Sequence, residues 1–166
     1  MHPPKFAILF DLDGTLIDSI GLIAGAMEYA YAARERRPPV DEWTAALGTP
    51  LDAMLRRWAA DDADVAALRA RYREFQIGQH DAMTTAYPGV VEIVRALHDN
   101  GHPLAVVTSK LEEGARRSLK FIGVEECFQA VVGIDATVKH KPEPEPVWFA
   151  LDRLGASSQL TTDVDE

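Results

Sequence analysis

Five consecutive apolar residues, Phe6 to Phe10, run without a break into Asp11-Leu12-Asp13-Gly14-Thr15. An uninterrupted apolar run of strand length suits a strand covered on both faces, the usual state in a parallel sheet. In extended backbone, residues two apart point to the same side. Asp11 and Asp13 are therefore expected to project together from the carboxyl end of a buried strand, where open α/β sheets bind ligands. Two neighbouring anions need a divalent cation or a shared proton to coexist. Gly14 frees the backbone to turn and to approach a ligand. A calcium loop of the EF-hand kind is excluded: with Asp11 and Asp13 as ligands, Leu9 and Ile20 stand where carboxylates are required.

The rest of the chain alternates. A long helix is expected from Ser19 to Arg36, capped by Asp18 or Ser19 and stopped by Pro38-Pro39. Two more helices are expected at Asp52 to Ala60 and Val65 to Met83. In the latter, Val65, Leu68, Tyr72, Phe75 and Gln79 share one face. Gly48-Thr49-Pro50 reads as a loop between helices. After Tyr87-Pro88-Gly89, an amphipathic helix carrying Val90, Val91, Val94 and Leu97 closes at Asn100-Gly101. Leu104 to Val107 reads as a second apolar strand, ending in Thr108-Ser109-Lys110. Ser109 and Glu112 have capping-box spacing for the helix that follows and closes near Gly123. Phe128 to Val132 reads as a third strand. Pro146 opens a last helix, with Gly155 just past its end.

Strands that alternate with helices predict an α/β fold with a Rossmann-like parallel sheet. The segment from Ser19 to Ala86 is too long for a simple crossover and predicts an inserted helical cap. The expected division is residues 1–18 with 87–166 as the core, and 19–86 as the cap.

Composition narrows the function. The chain has 166 residues, 47% hydrophobic and 26% charged, which is ordinary for a globular protein and argues against disorder. The formal net charge of −9, with no long basic run, argues against a nucleic-acid partner. The single cysteine, Cys127, excludes an internal disulfide and a thiolate metal cluster, and beside Phe128 it reads as a buried, inert thiol. No apolar leader precedes the first strand and no run reaches membrane-spanning length, so a soluble, cytoplasmic protein is expected.

The string DLDGTLIDS, directly after Ala7-Ile8-Leu9-Phe10, closely resembles the first motif of the haloacid dehalogenase (HAD) superfamily. The resemblance continues in order through LAVVTSK and KHKPEPEPVWFALDRLG, with a helical insertion where relatives carry a cap. It implies a Mg²⁺-dependent phosphatase in which Asp11 takes the phosphoryl group. Asp13 would be the general acid/base and would offer its backbone carbonyl to the metal, beside the Asp11 carboxylate. Thr108 and Lys141 would meet the phosphoryl oxygens, with Lys139 the lesser candidate. Backbone around Leu12, Gly14 and Ser109 would complete the phosphate cradle. Ser109 departs from the Asn common at that position in relatives. Gly48, in the cap loop with Leu47 and Thr49, would touch substrate. The nearest resemblance is to phosphoglycolate phosphatases and pyrophosphatase-like members. The expected partner is a small phosphorylated metabolite.

The fourth motif of the family, an acidic pair on a fourth strand, has no clear counterpart. The reading is of a chain that stops before it, with Asp163, Asp165 or Glu166 as substitute metal ligands. Without a fourth strand the first would be a sheet edge, open to self-association. A sugar phosphomutase and a catalytically impaired fragment are the alternatives. A phospho-accepting receiver is disfavoured by the large insertion.

Overall fold

The structure is a computed structural model that describes residues 5–46 and 48–156. In chain order the elements are β1 (Ile8–Phe10), β2 (Ile17–Asp18), α1 (Ile20–Tyr31), α2 (Val40–Ala45), α3 (Leu51–Arg56), α4 (Asp62–Met83), β3 (Thr85–Ala86), α5 (Val90–Asp99), β4 (Leu104–Val107), α6 (Glu112–Phe121), β5 (Ala130–Val132) and α7 (Glu145–Arg153). The chain divides into two compact units. One joins the described residues up to Leu12 with those from Pro88 onward, and the other is Asp13–Tyr87.

The first unit is built on a parallel sheet of order β1-β4-β5. Ile8 pairs with Leu104 and Phe10 with Val106, while Ala105 pairs with Ala130 and Val107 with Val132. Every residue of β4 and β5 is buried, as their continuous apolar runs require. Ala105, Val107, Ala130, Val132 and Ala150 form one core cluster, with Leu9, Phe149 and Leu154 against it. These residues show why small and β-branched side chains recur here: helix α7 lies directly on the sheet face.

The first strand differs from its expectation of full burial. β1 is three residues long, its side chains are half-buried, and Phe6 is 67% exposed. Among the described residues β1 pairs with β4 alone. Cys127 is buried, and burial pushes its thiol up.

The second unit packs α1 against α4. Ala26, Met27, Ala30, Tyr31, Leu55, Leu68 and Tyr72 are buried in its core. Val65, Leu68 and Tyr72 line the buried face of α4 as expected, but Gln79 is exposed. β2 and β3 form an antiparallel ribbon, with Ile17 paired to Ala86 and Asp18 to Thr85. This ribbon clamps the two ends of the unit together.

Several helix boundaries differ from the sequence expectation, α4 among them, which starts at Asp62 and not at Val65. α1 ends at Tyr31, well before Arg36. There the Arg37 guanidinium donates to the carbonyls of Ala32 and Arg34, and Arg34 turns to Asp64 at 3.0 Å, so side chains take over from the helical ladder. The third helix is short, Leu51–Arg56, and a further helix, α2, precedes it. At α6, Ser109 is not the cap. The helix starts at Glu112, whose N–H donates to Asp135 Oδ1 at 2.9 Å, a partner 23 residues further along. No helix among the described residues is long and apolar enough to cross a membrane.

Candidate active site

The sheet unit brings three of the expected side chains, Asp11, Thr108 and Lys141, to one end of neighbouring strands. Asp11 follows β1 directly, and its carboxylate is met from two directions. The Leu12 N–H donates to Oδ1 at 2.8 Å, and Lys141 Nζ stands 3.0 Å from Oδ2. The same ammonium donates to the carbonyl of Val107 at 3.2 Å. Val107 is the last residue of β4, so Lys141 links the carboxyl ends of two paired strands. Both partners of the Asp11–Lys141 pair are partly open to water, with side chains 40% and 27% exposed. Screening at that exposure makes the pair a positioning contact more than a source of stability.

Thr108 comes next after β4 and is buried. Its N–H donates to the Val132 carbonyl at 3.0 Å, which extends the sheet ladder by one residue. Its Oγ1 accepts from the Lys110 N–H at 3.2 Å, closing a tight turn at the strand end. Ser109 is half-buried in that turn.

The Lys141 segment is tied from behind. Glu145, the first residue of α7, accepts from the N–H of Val138 at 3.1 Å and of Lys139 at 3.2 Å. This carboxylate holds the approach to Lys141 in place. Lys139 has an exposed side chain, and it is Lys141 that reaches Asp11. The Lys141–Pro142 peptide bond is cis.

Asp13 stands in the second unit, two residues along the chain from Asp11. Gly14, at φ +80°, donates its N–H to the Ile17 carbonyl at 2.9 Å, and Asp13 forms a bridge to Ile17. Only glycine takes that left-handed backbone without strain. The Asp13 Oδ1 accepts from Ser19 Oγ at 2.6 Å. Ser19 is fully buried and occupies the N-cap position of α1, yet makes no cap hydrogen bond with its side chain. The cap expected of Ser19 is thus absent, because its hydroxyl serves Asp13. The Tyr72 phenol is pushed up, first by burial and then by the charge of Asp13, while the Gln76 amide opposes the shift.

The other expected residues take varied places. Leu12 has its side chain wholly buried and its N–H on Asp11. Gly48 is exposed at φ +89° in the loop before α3. Leu47, Asp163, Asp165 and Glu166 lie outside the described residues. Sequence reasoning missed Glu145 and the use made of Ser19. The signal for Glu145 was faint, an acidic residue in the first turn of a helix; Ser19 carried the stronger signal of a cap.

A metal can be considered on the donors present. The Asp11 carboxylate and the Asp13 carbonyl are hard oxygens, and among the described residues no group of three His, Cys, Asp or Glu gathers for a metal. Mg²⁺ is held in many phosphate sites by one or two protein carboxylates, with water and substrate oxygens filling the remainder. Asp11 fits such a sparse arrangement as its one carboxylate.

A parallel sheet that presents a carboxylate, an ammonium and a buried hydroxyl at adjoining strand ends has the groups that a protein acting on phosphate needs. The comparisons with known proteins say which one by family. The model of the haloacid dehalogenase-like hydrolases matches residues 8–164. The chain is 37% identical to pyrophosphatase PpaX of Halalkalibacterium halodurans over 158 residues, covering 93% of this chain and 71% of that protein. It is 33% identical to pyrophosphatase PpaX of Listeria monocytogenes serotype 4b over 154 residues, covering 92% of this chain and 70% of that protein. The fold is shared with a predicted phosphoglycolate phosphatase from Haemophilus somnus 129PT. Its crystal structure matches at TM-score 0.80 and 24% identity, over 91% of this chain and 72% of that one. The chain belongs to the haloacid dehalogenase-like hydrolases.

Proposed function

We propose that the protein hydrolyses a small phosphate monoester or pyrophosphate through a phosphoryl group carried on Asp11. The observation that carries this reading is the placement of Lys141 Nζ between Asp11 Oδ2 and the end of β4. An ammonium there holds the nucleophile's carboxylate in one orientation and stands beside the oxygens that gain charge during transfer. Thr108, at the adjoining strand end, supplies a hydroxyl to the same oxygens. Asp11 Oδ attacks phosphorus in line, the P–O bond to the leaving group breaks, and Asp13 gives that oxygen its proton. Asp13 then takes a proton from water as water attacks phosphorus, releasing phosphate and restoring Asp11. Asp11 and the Asp13 carbonyl would hold Mg²⁺, which would offset charge on the phosphoryl oxygens. Pyrophosphate is included because the two PpaX relatives carry that name.

The test is release of phosphate from p-nitrophenyl phosphate and from pyrophosphate, with Mg²⁺ and with chelator, by wild type and Asp11→Asn. Release by wild type with Mg²⁺, and loss in the variant, is expected. Equal release by both proteins refutes the nucleophile. An isomerised sugar phosphate in place of free phosphate would move the reading to a phosphomutase. Silence from wild type on every substrate would move it to an impaired fragment.

A further inference from the structure

The pairing of β4 with β5 continues past the strands themselves. The Thr108 N–H donates to the Val132 carbonyl at 3.0 Å, and the Ile134 N–H donates to the Lys110 carbonyl at 2.9 Å. Asp135 Oδ1 then accepts from the Glu112 N–H at 2.9 Å. Thr108, Lys110 and Glu112 are alternate residues, so the segments leaving the two strands run side by side as a ladder would. Gly133 stands in the middle of this seam and is buried. Its φ of −85° and ψ of 175° suit any residue, so backbone shape does not require glycine there. Space does. A Cβ at Gly133 would overlap the Glu112 backbone nitrogen and lie 2.7 Å from the Glu112 Cα, closer than carbon atoms pack. It would also lie 2.6 Å from Asp135 Oδ1. The obstacle is mostly backbone, which cannot swing aside as the end of a long side chain can. The segment held by this seam is the one that carries Thr108, whose buried Oγ1 accepts from the Lys110 N–H at 3.2 Å.

We infer that Gly133 and Asp135 are positioning residues for the Thr108 turn. By lacking a side chain, Gly133 lets the segment after β5 lie against the segment after β4. Asp135 closes the far end of the seam on Glu112. Together they fix where the Thr108 hydroxyl stands. The Lys110 N–H uses Oγ1 as an acceptor, which leaves the hydroxyl hydrogen to be donated to a phosphoryl oxygen. The inference rests on the reading of Thr108 as a phosphoryl ligand, and goes beyond it by naming what sets that ligand in place. Both residues act through Thr108 and touch no substrate. A role confined to folding would weaken the protein without singling out Thr108; a positioning role loses its effect once the Thr108 hydroxyl is gone.

The experiment measures kcat/KM for p-nitrophenyl phosphate, and inhibition by inorganic phosphate, with denaturant midpoints as the control for folding. The proteins are wild type, Gly133→Ala, Asp135→Ala, Asp135→Asn and Thr108→Ala, with Gly133→Ala and Asp135→Ala each also combined with Thr108→Ala. Gly133→Ala is expected to lower kcat/KM and weaken phosphate inhibition by roughly 10-fold or more, the scale of a misplaced group. Asp135→Ala should lose about 3- to 10-fold, and Asp135→Asn, whose amide oxygen still accepts, should recover most of that. On the Thr108→Ala background each change should cost less than about 2-fold further. If Gly133→Ala does not fold, the exposed Asp135 carries the same cycle. Losses that multiply with that of Thr108→Ala, no loss in folded variants, or an Asp135→Asn as impaired as Asp135→Ala would overturn the positioning role and leave the phosphatase reading intact. A wild type that neither hydrolyses the ester nor binds phosphate would overturn both.

Discussion

In the sheet unit the carboxylate that follows β1 is met by an ammonium and a backbone N–H. In the helical unit the carboxylate two residues on is met by a buried hydroxyl. The sequence presents Asp11 and Asp13 as near twins, yet the two units give them different company. A cation beside a carboxylate holds one oxygen in place, which suits the nucleophile proposed for Asp11. A neutral donor fixes direction without adding charge, which suits the acid and base proposed for Asp13. One short motif, split across two units, thus gives one residue type two sets of partners.

The largest expected effect separates the two roles. Asp11→Asn keeps the shape and removes the nucleophile, so kcat should fall by on the order of 10³-fold or more on every substrate. Asp13→Asn should still give a burst of p-nitrophenol before release of phosphate stalls; a variant with no burst, like Asp11→Asn, would break the contrast between the carboxylates. Next comes the cation: Lys141→Met should lower kcat/KM by about 10²-fold, the scale of removing one charged stabiliser. Lys139→Met, with its exposed side chain, should change kcat/KM by less than about 2-fold. A reversed order would return the role to Lys139.

Two further predictions concern stability and fall on the helical unit. Leu68 is fully buried in the core between α1 and α4. Leu68→Ala should cost about 2–5 kcal/mol, read as a lower denaturant midpoint. A smaller change would mean that this unit is loosely packed. The smallest effect is the acid response of the Arg34–Asp64 contact. The Arg34 guanidinium, and then the Ala60 N–H, hold the Asp64 carboxyl below its ordinary value of 3.8. A depressed folded value means that the contribution is present above 3.8 and is lost as pH falls through the folded value. Asp64→Asn should therefore lower the melting temperature at neutral pH and leave it nearly unchanged in strong acid. Equal losses at both pH values would show that the contact acts through packing.

Legibility in the sequence followed locality. Leu104 to Val107 was readable as a strand because every residue in it is apolar, and the strand is buried throughout. Lys141 was separable from Lys139 because the motif order singles it out, and it is Lys141 that reaches Asp11. The start of α6 was not readable, because its N–H partner is Asp135, far along the chain. The end of α1 was not readable either, since Arg34 leaves the helix for Asp64, which belongs to α4. Ser19 misled for a different reason. A serine before a helix signals a cap, and only the fold shows that a nearby carboxylate outcompetes the helix for its hydroxyl. β1 looked fully buried by composition, yet its three residues are half-buried.

The central claim is that phosphate is carried on Asp11. The direct measurement quenches wild type in acid during turnover of a phosphate ester, digests it, and maps phosphate by mass. The account predicts a hydroxylamine-sensitive acyl phosphate on the peptide that contains Asp11, retained longer in Asp13→Asn. Turnover with no phosphate on that peptide, or with phosphate on a different residue, would contradict it.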